Sequence, residues 1–219
     1  MYNISASCQI PTLGEIYKKY FGETQGTFVE IGAYDGESFS NTSCLADKGW
    51  IGVYVEPVSN YYLKCKARHA YNNVQVLNFA VGLEEKEIDL FVGEAITTTL
   101  AAQVDRYAEI PWSKGVTFSK SSCKQTTLEN ILRKTSIPVG FELLVVDVEG
   151  AEDAVIRSFD INKWCPKMMI VELEDEHPSF AKYKDHIDNH RGIREYILNS
   201  GYAEIYRDTI NTIFIRDVA

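Results

Sequence analysis

Four apolar runs of this chain end in an acid: Glu30, Glu56, Asp147 and Glu172 close the segments 27–31, 51–55, 142–146 and 168–171. In an open α/β sheet the ligand crevice lies outside the carboxyl ends of the parallel strands. Four strand-end carboxylates are therefore expected to ring one crevice. Such groups accept hydrogen bonds from ribose hydroxyls or an amino group, and they can take a proton from an attacking nucleophile.

The first of them sits in Phe28-Val29-Glu30-Ile31-Gly32-Ala33-Tyr34-Asp35-Gly36, a strand running into a tight turn. A dinucleotide fingerprint would read Gly-x-Gly-x-x-Gly. Here the order is Glu-x-Gly-x-x-Asp-Gly, with Tyr34 in place of the glycine that admits a pyrophosphate and Asp35 adding negative charge. Glu56 follows about 20 residues later, where a ribose-binding carboxylate belongs. The combination repels a pyrophosphate and suits a cationic, phosphate-free nucleoside. S-adenosylmethionine, with its sulfonium, ammonium and ribose diol, has that chemistry.

The elements that must position these residues follow from periodicity. Thr12-Leu13-Gly14-Glu15 has the form of a capping box, followed by an apolar face of Leu13, Ile16, Tyr17 and Tyr20. Strands at 27–31, 51–55 and 74–79, with helices at 38–48 and 58–70 between them, make βαβαβ, half of a doubly wound sheet. Segment 87–92 alternates with period two, as a half-exposed strand does. Residues 93–124 show no clear periodicity and read as a lid or acceptor-binding insertion. A helix opens at Thr126-Thr127-Leu128-Glu129. It is followed by a strand at 142–146, a helix at 151–159, a strand at 168–171 and a helix at 192–199. The pair 202–207 and 212–216 closes the chain as antiparallel strands. The expected architecture is α/β: a mostly parallel, doubly wound sheet with a C-terminal antiparallel pair. It forms one domain over 1–219, with residues 1–25 as a helical extension.

Composition narrows the partners. The net charge is −9 over 219 residues, unlike the basic surface of a nucleic-acid binder. A small neutral or hydroxyl-bearing acceptor suits it better. No apolar run reaches the roughly 18 residues of a membrane span, and Met1-Tyr2-Asn3-Ile4 lacks the basic and apolar regions of a signal peptide. The five cysteines are scattered without Cys-x-x-Cys, which fits reduced thiols and a cytoplasmic setting.

Read in order, Phe28 to Gly36, Val55-Glu56-Pro57, Asn78-Phe79-Ala80-Val81-Gly82, Thr126-Thr127-Leu128-Glu129, Asp147-Val148-Glu149-Gly150-Ala151-Glu152 and Ile170-Val171-Glu172 carry a resemblance. Over residues 26–175 the chain resembles the FkbM family of S-adenosylmethionine-dependent methyltransferases. The resemblance implies a Rossmann-like methyltransferase fold and methylation of a hydroxyl oxygen on a sugar or other small metabolite. Two positions depart from the family pattern: Tyr34 stands where Asp or Asn is usual, and Glu129 where Asp is usual.

On this reading Gly32 and Gly36 let backbone approach the cofactor, with Tyr34, Ser38 and Pro57 beside them. Glu30 or Asp35 faces the ammonium or stabilises the loop. Glu56 binds the ribose, and Asn78 and Ala80 flank the adenine. Asp147 and Glu149 sit where the reacting methyl points, Asp147 touching cofactor as well. His177, with an unperturbed pKa near neutral, is a candidate base. Asp147, Glu149, Glu172 and Glu174 are hard oxygen donors that could hold a divalent cation. Glu152 reads as an acid stabilising a helix N-terminus. The acidic run 172–176 reads partly as a solvated loop, with only Glu172 fixed by a strand. His69, His186 and His190 are expected at the surface. Tyr107 or Trp112 could stack on a sugar, while Tyr61 and Tyr62 read as core or rim. The rival readings are an NAD-type oxidoreductase and a catalytically silent cofactor-binding module.

Overall fold

The computed structural model describes residues 2–216; Met1 and residues 217–219 of the expected domain lie outside them. Its main sheet has seven strands, β1 (Thr27–Ile31), β2 (Ile51–Val55), β3 (Val74–Leu77), β7 (Leu143–Val146), β8 (Met168–Glu172), β9 (Tyr202–Arg207) and β10 (Asn211–Arg216). They lie in the order β3-β2-β1-β7-β8-β10-β9. The first five are parallel, and β10 runs antiparallel between β8 and β9. The doubly wound sheet and closing strand pair are as expected. The chain leaves β1 toward one edge and β7 toward the other, so the crevice of such a sheet falls between these two strands.

β7, at the centre of the sheet, is continuously apolar because both its faces are covered. Along β7, Leu143 and Val145 pack with α1 (Leu13–Phe21) and α2 (Ser43–Asp47) through Leu13, Tyr17, Phe21 and Leu45. Leu144 and Val146 face the other way. There they meet Leu128, Ile131 and Leu132 of α5 (Leu128–Lys134), Val155 and Ile156 of α6 (Glu152–Ile156), and Ile193 and Ile197 of α8 (Lys184–Asn199). α3 (Ser59–Arg68) contributes Cys65 to the first layer, and α7 (Ile161–Trp164) contributes Ile161 and Trp164 to the second.

A smaller sheet stands apart, built from β4 (Ala80–Val81), β5 (Lys86–Val92) and β6 (Ser119–Thr126) in the order β4-β6-β5. Segment 93–124 is therefore not irregular. It holds α4 (Ala101–Glu109), two short 3-10 turns and most of β6. α4 buries only Gln103 and Tyr107, and β6 is largely exposed with the sequence SKSSCKQT. β6 has no apolar alternation to reveal it, and α4 has only Val104 and Tyr107 as large apolar side chains.

Other local differences have equally plain causes. α8 begins at Lys184 rather than 192 because its buried stripe is His186, His190, Ile193, Arg194 and Ile197. The spacing is helical, but three of the five side chains are polar. The expected helix at 38–48 shrinks to Ser43–Asp47, because residues 40–42 leave the helix to bond Glu30. The expected helix at 151–159 is α6 alone, ending at Ile156. No capping box forms at Thr12, whose side chain makes no cap bond.

Candidate active site

A cavity of about 450 Å³ opens at the carboxyl ends of β1, β2, β7 and β8. Glu30, Gly32, Tyr34, Ser38, Glu56, Pro57, Ala80, Asp147, Glu149 and His177 all line it. Asp35, Gly36 and Asn78 do not; they build its wall from behind.

Gly32 ends β1 with φ +89°, a backbone region that suits glycine. A Cβ there would lie 1.7 Å from the Asp147 carbonyl oxygen. The turn then folds on Asp35, whose carboxylate accepts from the Glu37 amide (3.0 Å), the Ser38 amide (2.7 Å) and the Ser38 hydroxyl (2.9 Å). Burial works to raise the Asp35 pKa, but these bonds outweigh it and hold it below the usual range. Gly36, at φ +79°, packs against α3, where a Cβ would meet Cys65 Sγ at 2.8 Å and His69 at 2.9 Å. Its carbonyl lies 2.8 Å from His69 Nε2. Asn78 likewise acts through backbone, donating to the carbonyls of Glu56 (2.8 Å) and Pro57 (3.0 Å).

Two buried carboxylates serve this half of the cavity. Glu30 accepts from the hydroxyls of Ser40 (3.1 Å) and Thr42 and from the Asn41 amide (3.4 Å). Burial nevertheless dominates and pushes its pKa up to about 7. Glu56 accepts from the Tyr34 amide at 2.9 Å and the Val58 amide at 2.7 Å, and burial again lifts its pKa to about 7. Two amide bonds fix the Glu56 carboxylate yet leave lone pairs free toward the cavity. Tyr34 and Tyr61 set their rings 4.4 Å apart on the same wall. Tyr61 is thus a lining residue rather than core.

The other half is acidic. Asp147, Glu149 and Glu172 each bring a carboxylate oxygen within 4.8 Å of the others. Glu149 stands at φ +57°, strained for a side-chain-bearing residue. Its carbonyl accepts from the Thr98 hydroxyl (2.8 Å) and its carboxylate from the Tyr107 hydroxyl. Tyr107 is fully buried in that role, so of the two aromatics that could stack on a sugar it offers no open face. Trp112 remains half exposed at the cavity rim. Burial first, then repulsion from Asp147, lifts the pKa of Glu149 and of Glu172 well above the carboxylate range. Asp147 itself is pushed up to about 6, by burial and then by Glu152.

The run 172–176 is solvated only at Glu176. Glu172, Glu174 and Asp175 are all buried. Glu174 lines the cavity with its pKa pushed up to about 9, by burial first, and Asp175 pairs with Arg194 at 2.5 Å. Nor are the three histidines at the surface: His69, His186 and His190 are all buried. His69 stacks on Tyr54. His186 lies 3.2 Å from Glu174 Oε2. His190 Nδ1 accepts from the Glu174 amide at 2.8 Å, so its Nε2 carries the proton, facing Glu152 Oε2 at 3.6 Å. Glu152 accepts from the Val148 and Gly150 amides (3.0 and 3.1 Å) at the start of α6, the expected place for an acid.

His177 lines the cavity, but its Nδ1 accepts from the Ser179 amide at 3.2 Å. Burial lowers its pKa. A neutral ring bonded this way carries its proton on Nε2 and presents a donor, not a lone pair.

The FkbM methyltransferase domain profile matches residues 30–203. The chain belongs to the FkbM methyltransferase family. No match is found among curated proteins. A Staphylococcus aureus protein provisionally assigned as a caffeoyl-CoA O-methyltransferase is similar with a TM-score of 0.56 at 12% identity, covering 95% of this chain and 84% of that one. A Bacillus cereus O-methyltransferase in complex with SAH is similar at 0.51 and 13% identity, covering 98% and 85%. An SAH-bound Podospora anserina methyltransferase gives 0.50 at 9% identity, covering 88% and 72%. At these identities the likeness is one of fold. This FkbM chain has the Rossmann-like methyltransferase fold, and among its described residues no helix is long and apolar enough to cross a membrane.

Proposed function

We propose that this FkbM protein transfers a methyl group from S-adenosylmethionine to a hydroxyl oxygen of a small neutral acceptor, a sugar or another metabolite. The observation that carries the reading is Glu56. Its carboxylate is pinned by two backbone amides at the end of β2 and turned toward the cavity, where a ribose diol can be held. The lining contains seven acids and neither lysine nor arginine. That favours a sulfonium and an ammonium over the pyrophosphate of a dinucleotide, and it disfavours an anionic acceptor or a nucleic-acid backbone. Structures of the same fold in complex with SAH support the donor.

In this reading Glu30, Gly32, Tyr34, Ser38, Glu56, Pro57 and Ala80 surround the cofactor, with Asp35, Gly36 and Asn78 shaping its loops. The acceptor oxygen attacks the methyl carbon in line. The O–C bond forms as the C–S bond breaks, its electron pair stays on sulfur, and SAH leaves. The hydroxyl proton passes to Asp147, the strand-end carboxylate whose pKa burial pushes up to about 6. Glu149, held by Tyr107, orients the hydroxyl, and His177 donates from the rim. Residues 93–124 cover the acceptor. The five free cysteines fit a reducing, cytoplasmic setting.

Calorimetric titration with SAH and with NADH tests the donor. SAH is expected to bind and NADH not; the reverse outcome overturns the reading in favour of an oxidoreductase. A screen of sugars with methyl-labelled S-adenosylmethionine tests the acceptor. Asp147→Ala and Glu149→Ala variants that both kept full methyl transfer would remove the catalytic assignment.

A further inference from the structure

We propose that Asp147, Glu149 and Glu172 form a binding site for one hard divalent cation, of the Mg²⁺, Mn²⁺ or Ca²⁺ class, on the acceptor side of the cavity. The first observation is geometric. One oxygen from each carboxylate lies within 4.8 Å of the other two. Oxygens bound at about 2.0–2.6 Å to a common ion stand up to about 5 Å apart, so the three need little or no movement to share one.

The second observation is independent of that spacing. Glu172 belongs to the cavity wall and is only 6% exposed, and its Oε2 is buried without a hydrogen-bond partner. A buried acceptor oxygen left unpaired is costly. Two arginines on this side of the fold pair with other groups. Arg106 bonds Asp185 (2.5 Å) and Gln103 (2.8 Å). Arg194 bonds Asp175 (2.5 Å) and Glu204 (2.7 Å).

The neighbouring acids face other side chains, which sets the ligand number. Glu174 faces His186 at 3.2 Å, and Glu152 gives one oxygen to the Val148 and Gly150 amides and turns the other to His190; neither joins the three whose oxygens meet. Three carboxylates remain. An all-oxygen set without imidazole or thiolate favours hard cations over zinc or copper. Three ligands leave positions for water or for an acceptor oxygen, whose proton the cation would make easier to lose. Each carboxylate spends one oxygen, so Asp147 keeps a second for that proton. The role in catalysis rests on the methyl-transfer reading; the binding of the ion does not.

The test is titration of chelator-treated protein with Mn²⁺ alone, followed by calorimetry and by the electron paramagnetic resonance of free Mn²⁺. Glu172→Gln and Glu149→Gln keep side-chain size and remove one ligand charge each. One Mn²⁺ per chain is expected, with affinity at least about tenfold weaker in both variants. SAH titrated in parallel reports that the variants remain folded. No saturable binding, or equal affinity in wild type and variants (an adventitious ion only), overturns the proposal. Loss of SAH binding with Mn²⁺ binding intact would remove the donor reading alone and leave this site standing.

Discussion

Gly32 and Asp147 meet where β1 and β7 part: a Cβ on Gly32 would stand 1.7 Å from the Asp147 carbonyl oxygen. The Asp147 amide in turn donates to the Ile31 carbonyl at 3.0 Å. The cofactor loop and the reactive carboxylate are therefore one backbone junction, and neither can shift without the other.

That junction gives the first prediction. Gly32→Ala adds a methyl where there is no room, at a φ of +89° that an L side chain rarely adopts. The loss is expected to be roughly 2–4 kcal/mol, from strain and a forced separation of the strands. Urea denaturation measures it. A variant as stable as wild type would mean the two strand ends are not in contact in solution.

Glu56 gives the second. Glu56→Gln retains the bond from one backbone amide but removes the charge that would grip two ribose hydroxyls. Charge-assisted bonds are worth about 1.5–3 kcal/mol, so SAH affinity is expected to fall about tenfold to a hundredfold. Calorimetry reads this directly, with melting temperature as the check on folding. Unchanged affinity would place the ribose elsewhere.

Much of this site could be read in the sequence, because strand-end acids announce themselves as apolar runs that stop at a carboxylate. Glu30, Glu56, Asp147 and Glu172 all reach the cavity for that reason. The supporting groups were hidden because they are polar residues in buried places. His186, His190 and Arg194 form part of the buried stripe of α8, a pattern that a search for apolar periodicity passes over. Tyr107 was ambiguous for a similar reason. It lies on a helix with two buried residues, and its partner Glu149 is 42 positions away. Glu174 could be named as an oxygen donor, but its burial was hidden in an acidic run that reads in part as solvated. Asp35, Gly36 and Asn78 had the right neighbourhood but act through backbone and loop geometry, which residue type does not distinguish from direct contact.

Glu30 gives the pH prediction. Its folded-state pKa, about 7, lies above the ordinary carboxylate value of 4.5 because burial outweighs its three hydrogen-bond donors. The folded protein therefore holds this proton more tightly than the unfolded chain. Its contribution to stability is fully present below about pH 4.5 and is lost as pH rises toward about 7. Glu56, shifted the same way, adds to the trend. Glu30→Gln is expected to flatten the fall in melting temperature between pH 5 and pH 8 (about a few degrees for a chain of this size). Identical slopes in variant and wild type would show that Glu30 ionises normally in the folded protein.

His190 gives the last. From the middle of α8 it touches both acidic loops: Nδ1 accepts from the Glu174 amide at 2.8 Å, and Nε2 faces Glu152 Oε2 at 3.6 Å. Glu152 in turn holds the Val148 and Gly150 amides of the loop that carries Glu149. His190→Ala leaves the Glu174 amide unpaired and opens a void in a fully buried place, a loss of roughly 2–4 kcal/mol. His190→Asn can return an acceptor oxygen near the old Nδ1 position, so it should recover part of that loss. The expected order of stability is wild type, then Asn, then Ala, measured by urea denaturation. Amide exchange at Glu174 supplies the local readout: fast in Ala and slower in Asn if His190 secures this loop by accepting that bond. Equal exchange in both variants would reduce His190 to packing alone, with the loop held by the remaining contacts of α8.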